Sequence, residues 1–338
     1  MPRAWPHHLI HLPIHRVAIA LLAASLSACA PKAVPPETLV FADPGQPMAG
    51  LVYIAEAKGY FRDEHLTLTH RPYTSGRDAI AGVLAGEADV GVATEFPLAK
   101  NILEGRELNI LATIYHANDN AVLVGRKDRG IHRGADLKGK RIGVTPHTNA
   151  DYVLSLLLTE AGLNDAAVTR VAVPPERMAQ TLAAGEVDAV VTWSPHVART
   201  EARFAEGATV RLHATGYSEL ALLGARPRVL ASRAEAFRRL LRALVRAEDD
   251  VADHEAEALR LLARHLGPGQ EADLRRAWPT MRLQVRLSNL MRAALEAEAD
   301  WLAVRATPAL AVPDFRARIS PQFLEAIRPQ AVTLVETN

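Results

Sequence analysis

The sequence predicts an α/β protein built as two doubly wound lobes, and three observations carry that prediction. Short apolar runs alternate with amphipathic helical stretches from Leu39 to Phe204, a helix–turn–strand–turn–helix unit occurs twice, and the chain then turns to long amphipathic helical sequence. Strand and helix in alternation feed a parallel sheet with helices on both faces.

Strands are expected at Leu39–Ala42, Leu66–His70, Val90–Ala93 and Asn109–Ile114, and in a second series at Ala121–Gly125, Arg141–Val144, Val168–Val173 and Ala189–Thr192. Each is a short apolar run bounded by turn residues. Helical patterns lie between them at Met48–Lys58, Arg77–Ala85, Phe96–Leu103, Ala150–Ala161, Glu176–Ala184 and Ser194–Phe204.

The repeat rests on Gly86-Glu87-Ala88-Asp89 before the strand VGVA and Gly185-Glu186-Val187-Asp188 before the strand AVV. Each Gly suits a left-handed helix end, and each Asp suits the turn into its strand. Thr94-Glu95-Phe96-Pro97 and Thr192-Trp193-Ser194-Pro195 follow, each read as a strand end, a turn and a proline at the first helical position. From about Ser232 to Ala303 the chain reads as helical, with arginines and acids interleaved on the polar face and Gly267-Pro268-Gly269 as a break. That interleaving marks a solvated face, and the formal net charge of +1 gives no bulk attraction for nucleic acid.

The N-terminus carries a different signal. Residues 1–16 hold Arg3 and Arg16 and no acid, Val17 to Leu26 form an apolar run too short to span a bilayer as a helix, and Leu26-Ser27-Ala28-Cys29 follows. Cys29 is the only cysteine, so no intrachain disulfide and no cysteine-based metal cage is expected. Leu-Ser-Ala-Cys resembles a bacterial lipobox, which implies cleavage before Cys29 and acylation of its thiol. Residues 1–28 then read as a signal peptide, and 29–37, rich in proline, as a tether. The histidines at 7, 8, 11 and 15 fall in the leader and are assigned no role.

Four stretches carry a family resemblance by their order and spacing: AGLVYIAEAKGYFRDEHLTL (49–68), TSGRDAIAGVLAGEADVGVATEFPL (74–98), DLKGKRIGVTPHTNADYVLSLLLTEAGL (136–163) and MAQTLAAGEVDAVVTWSPHV (178–197). They resemble periplasmic binding proteins of the nitrate/sulfonate/taurine and thiamine-precursor group, the NMT1/THI5-like family. LSNLMRAALEAEADWL (287–302) is similar to that family's closing helices. The resemblance implies a type II periplasmic-binding-protein fold with a hinge and a ligand cleft. Lobe one would comprise 38–120 plus 224–338 and lobe two 121–223, with crossings near Asn120–Ala121 and Ser218–Gly224. It further implies an exported, membrane-anchored, monomeric solute-binding component of an ABC importer, partnered by a membrane permease and needing no cofactor or metal. The ligand would be a sulfonate, taurine, nitrate or a thiamine-type pyrimidine.

In an open α/β sheet, ligands sit beyond the carboxyl ends of the strands. Five loops of this chain hold such positions and each precedes a helix, whose first N–H groups and positive dipole end suit an oxyanion. They supply Gln46, Ser75 with Gly76 and Arg77, Thr94 with Glu95, Thr145 with His147, Thr148 and Asn149, and Trp193. Ser75 and Thr148 also suit plain N-capping. Trp193 suits stacking on a flat ligand, shielding of an anion, or core packing. Glu95 cuts against a purely anionic ligand unless it meets Arg77, His147 or a ligand amine, and it also suits a solvated loop. His116 and Asn118, after the strand ending near Tyr115, are secondary candidates.

Two competing classes are a ligand-sensing lipoprotein that reports to a membrane receptor and an enzyme of the same fold. Pyrimidine-forming relatives depend on a cysteine-rich segment that this chain lacks. A triad of Ser194, His196 and Glu95 lacks the glycine-flanked elbow that exposes a nucleophilic serine. The chain is therefore expected not to be an enzyme.

Overall fold

The apolar runs resolve into two mixed sheets. In the computed structural model of the protein the described residues are 1, 2, 4, 35–267 and 270–335, so Cys29, nearly all of the leader and most of the tether lie outside them. Glu37–Asn338 form one compact unit and Met1–Pro36 another, and every strand and helix of the described residues belongs to the former.

The strands are β1 (Glu37–Asp43), β2 (Leu66–Pro72), β3 (Val90–Thr94), β4 (Asn109–Ala117), β5 (Val122–Arg126), β6 (Arg141–Val144), β7 (Thr169–Ala172), β8 (Ala189–Thr192), β9 (Thr209–Leu212), β10 (Glu219–Ala225), β11 (Met281–Ser288) and β12 (Val332–Thr333). Seven form one sheet in the order β12-β11-β4-β10-β3-β1-β2, and five form the other in the order β7-β6-β8-β5-β9. The expectation of parallel sheets holds for β1 with β2 and β3 and for β6 with β7 and β8. It is corrected for β10, which runs antiparallel to both β3 and β4, and for β5, antiparallel to both β8 and β9. The cause is topological. The chain leaves the first lobe along β4 and returns along β10, so strands that travel in opposite senses become neighbours.

Both faces of the second sheet are buried along its inner strands β6, β8 and β5. Along β5, Leu123 packs with Val153, Leu154, Leu157 and Leu158 of helix Asn149–Glu160, while Val122 and Val124 pack with Met178, Leu182 and Val197 on the other face. This is why β5, β6 and β8 read as continuous apolar runs rather than as alternation. In the first lobe, helix Ala234–Asp253 buries Phe237, Leu240, Leu241 and Leu244 and lies against helix Gly50–Ala57 and β11. On its polar side Arg242 and Arg246 pair with Glu64 and Asp63.

The tail is not wholly helical. Within it, β11 alternates buried Met281, Leu283, Val285 and Leu287 with Arg282, Gln284, Arg286 and Ser288, the period-two pattern of a strand. The prolines also differ from expectation. Pro97 is the third residue of helix Glu95–Leu103, and Pro195, after a cis peptide bond, caps helix His196–Glu201 rather than opening it.

The Gly-Glu-x-Asp repeat has one physical meaning in both lobes. Gly86 and Gly185 adopt φ of 84° and 74°, ending their helices in the left-handed region. Asp89 then accepts from Val40 N at 2.9 Å, and its own N–H reaches Val40 O at 2.8 Å. Asp188 does the same with Arg141, at 2.8 Å in both directions. Each Asp stitches the start of its strand to the parallel neighbour, β3 to β1 and β8 to β6. Truncating either carboxylate leaves a strand N–H without its acceptor. Asp89→Ala and Asp188→Ala are each expected to lower unfolding free energy by about 1–3 kcal/mol, measured by urea denaturation, whereas Glu87→Ala, an exposed neighbour, falls well below that.

Candidate functional site

Helix starts of both lobes converge on one small cavity. Its lining includes Gln46, Met48, Ser75, Gly76, Arg77, Thr94 and Pro97 from the first lobe and Thr148, Asn149 and Trp193 from the second, with Glu219 at the start of β10. It offers about 20 Å³ to the centre of a water-sized sphere, which suits about one water molecule.

Local chemistry fixes these residues. Ser75 caps helix Gly76–Ala85, accepting from Asp78 N and donating to Asp78 Oδ2 at 2.8 Å. Gly76 is pressed against β3: a Cβ there would stand 2.8 Å from Ala93 Cα and 2.9 Å from Met48 Cε. Thr148 caps helix Asn149–Glu160 and donates to Thr145 O at 2.8 Å. Asp43 accepts from Gly45 N at 2.8 Å, holding the turn that delivers Gln46, and is itself held by Tyr53 and by His70, at 2.8 Å from the latter. The Arg77 guanidinium is already committed, to Asp78 and, across the lobes, to Pro146 O at 2.9 Å. Trp193 is 6 % exposed, lies edge-on to the His196 ring, and its Nε1–H has no acceptor among the described residues.

The remaining sequence candidates lie elsewhere. Thr145 donates to Val173 O at 2.9 Å and serves the turn rather than the cavity. His147 adopts φ of 62°, and its N–H caps Asp151, so its ring stands outside the lining. His116 and Asn118 hydrogen-bond each other at 3.1 Å, and Asn118 also takes Ser218. Glu95 meets neither Arg77 nor His147 and is not solvated: it is fully buried, accepting from Tyr217 Oη at 2.8 Å and Leu220 N at 2.9 Å.

Glu95 belongs to a buried network that sequence reasoning missed. Glu219 accepts from Asn120 Nδ2 at 2.7 Å and from Asn149 Nδ2 at 2.8 Å, and Asn149 also reaches Tyr217 Oη at 3.1 Å. Neither Glu298 oxygen has an N–H or hydroxyl donor among the described residues. Its carboxyl faces that of Glu95, so it is the member of the pair that keeps a proton. Burial pushes Glu95 up to about 7; burial, then the charge of Glu95, push Glu219 up to about 8 and Glu298 well above the carboxyl range. A signal for both existed. Glu219 opens the otherwise apolar run ELALLGA, and Glu298 falls on the buried phase of its helix with Met291 and Leu295.

The triad of Ser194, His196 and Glu95 is not assembled. Ser194 N binds Asn120 Oδ1 at 3.2 Å, Glu95 is committed as above, and burial lowers His196 to about 4, which keeps it neutral.

A carboxyl kept protonated by the fold binds a proton that the unfolded chain releases above its ordinary pKa, so its contribution to stability falls as pH rises. Glu298→Gln removes that proton while keeping a donor toward Glu95. Relative to the variant, the natural protein is expected to lose about 1.4 kcal/mol per pH unit between pH 5 and 7, measured by urea denaturation of both at several pH values.

Comparison with known proteins gives these features their context. A Brucella abortus (strain 2308) protein, named provisionally as a binding protein, is 26% identical over 226 residues, an alignment covering 63% of this chain and 66% of that protein, just under two thirds of its length. The alkanesulfonate-binding protein SsuA from Xanthomonas axonopodis pv. citri, bound to MOPS, superposes with a TM-score of 0.72 at 19% identity, covering 86% of this chain and all of that one. A mutant of the desulfurization enzyme DszB in complex with biphenyl-2-sulfinic acid superposes with a TM-score of 0.63 at 18% identity, covering 86% of this chain and 98% of the other. The fold is thus that of the periplasmic binding proteins, and it serves both binding and catalysis. Residues 46–258, well over half of the chain, match the family model described as NMT1/THI5 like, and the chain belongs to that family.

Proposed function

We propose that the protein is the extracytoplasmic solute-binding component of an ABC importer, not an enzyme, and that it captures a small polar molecule between its lobes. The observation that carries this reading is the cavity itself. Gln46, Ser75, Gly76, Arg77, Thr94, Thr148, Asn149 and Trp193, picked out as loop residues before helices, come from both lobes and line one space. Three helix starts meet there, two of them capped by side chains that also face the cavity. Such starts suit an oxyanion head without a formal cation.

Lobe one (38–120 plus 224–338) and lobe two (121–223) move as bodies about the crossings near Asn120 and Ser218, with Glu219 to Leu223 carried by the first lobe's sheet as the start of β10. A site of about 20 Å³ admits no sulfonate unless its walls part. The contacts that join the lobes include Arg77 to Pro146, Asn149 to Glu219 and Arg305 to Asp165, with the rings of Phe96 and Trp301 against Tyr152; the polar ones at the cavity can reform around a ligand. Ligand that touches both lobes favours the closed form through contacts made only there. The closed surface then docks on the permease, while acylated Cys29 keeps the protein at the membrane and raises its local concentration.

Isothermal titration of the full chain in mild detergent with ethanesulfonate, taurine, nitrate and 4-aminopyrimidine is expected to give saturable binding for at least one. Small-angle scattering of residues 30–338, which include the compact unit, should then show compaction with that ligand. Binding to none removes the solute-carrier reading; binding without compaction removes lobe closure alone. Cys29→Ser is expected to move the protein from the membrane fraction to the soluble one and to abolish labelling by an alkynyl fatty acid in growing cells. Unchanged labelling would refute the anchor.

A further inference from the structure

The structure points to a proton entering the site with the ligand: we propose that Glu219 meets an oxyanion-bearing ligand as a neutral acid, so that closing the lobes over such a ligand draws one proton from solvent. This rests on the cleft reading above and adds to it both a residue and a ligand class.

Glu219 lines the cavity and is 2 % exposed. Its hydrogen-bond partners are the side-chain amides of Asn120 and Asn149, which are neutral. The ionisable groups that face it are Glu95 from helix Glu95–Leu103, Glu298 from helix Asn289–Ala303, Tyr115 from β4 and Tyr217 from the returning crossing. All of these are acids. The cation at the cavity, Arg77, already serves Asp78 and Pro146 O. A buried carboxylate with no cation beside it takes a proton instead.

The ligand class follows from Trp193. Its Nε1–H is buried at the cavity wall and meets no acceptor among the described residues. The first-turn amides of Gly76, Arg77 and Asn149 precede their helices' own hydrogen-bond ladders and are donors too. A protonated Glu219 adds another donor. An oxyanion head accepts from all of them, whereas an amine would set donor against donor.

The coupling arises because residues of the second lobe, Thr148, Asn149 and Trp193, complete the wall that buries Glu219. Parting the lobes admits water, and relief of burial, the largest cause of the shift, outweighs the loss of the Asn149 donor, returning Glu219 toward the ordinary carboxylate range and its ionised form at neutral pH. Closing reverses this. The sign follows: the closed site is pushed up to about 8 from an ordinary 4.5, so it holds one more proton than the open form between those values. Affinity for an oxyanion therefore falls as pH rises through that window and levels off above it.

The test is calorimetric titration of the full chain in mild detergent with ethanesulfonate, and in parallel with ethylamine, in buffers of unlike ionisation enthalpy. The expected result is uptake of close to one proton per ethanesulfonate at pH 6.5, with affinity falling about tenfold per pH unit from 5.5 to 7.5. Glu219→Gln should abolish both the uptake and the pH dependence, whatever its affinity. Ethanesulfonate binding without proton uptake, uptake that survives in the variant, or binding of ethylamine with proton release would each overturn the proposal and leave the solute-binding reading standing. So would a protein that takes only 4-aminopyrimidine. Failure of every probe, those of the previous section included, sinks both. Should the variant not fold, the buffer comparison on the natural protein decides the proton uptake by itself.

Discussion

The closed arrangement turns on one carboxyl group. Glu219 stands at the first residue of β10, where the chain re-enters the first lobe, and it is held by Asn120 from the outgoing crossing and Asn149 from the second lobe. A single buried group thus joins both crossings and both lobes. Burying a carboxyl away from any cation is costly unless it is hydrogen-bonded or neutral. Two amide donors and a raised proton affinity meet that requirement here, and the next two acids, Glu95 and Glu298, meet it together by sharing a proton. This network borders the cavity on which the helix starts converge, with Glu219 and Asn149 in its lining.

What places the helix starts at a common rim is a device used once in each lobe. Asp89 and Asp188 fix the beginnings of β3 and β8 to their parallel neighbours, so that the ends of β3 and β8, and the helices after them, fall at equivalent positions. Thr94 and Trp193 both reach the cavity for that reason. The repeat is therefore structural in its acids and functional only in its outcome. Its Gly, Glu and Asp touch strand and helix backbone, while the residues that follow the strand line the space.

Much of this was legible because burial on both sheet faces writes strands as short apolar runs, and because Gly and Asp mark the turns between them. All eight of the expected strands and the helices before residue 204 lie at or within a few residues of observed elements. What was lost was lost for physical reasons. β11 carries its own period-two signal, yet arginines on its polar face continue the look of the flanking helices. β9 is four half-buried residues with no apolar run to announce it. β10 read as a mere crossing, although full burial makes it a central strand between β3 and β4. At the site, capping residues and Trp193 could be placed because helix starts follow strand ends by rule. Glu95 was located correctly in the chain and misjudged in environment, since burial of a loop acid depends on which distant helix covers it. Here that helix starts at Asn289.

Trp193 gives the closed form its bias. An indole N–H held from water without an acceptor costs about 1–3 kcal/mol, and it lies on the lobe that moves away when the cleft opens. That cost falls on the closed form alone, and a ligand acceptor removes it there alone. Two states separated by a few kcal/mol respond to differential contacts of this size by large changes in population. Glu219 works in the same sense, because under the proposal its proton too is held only in the closed form. Closure as proposed is therefore conditional on two small guests, an acceptor for Trp193 and a proton for Glu219. A fold that gathers donors from both lobes around an acid has coupled them by geometry, whatever the remainder of the ligand is.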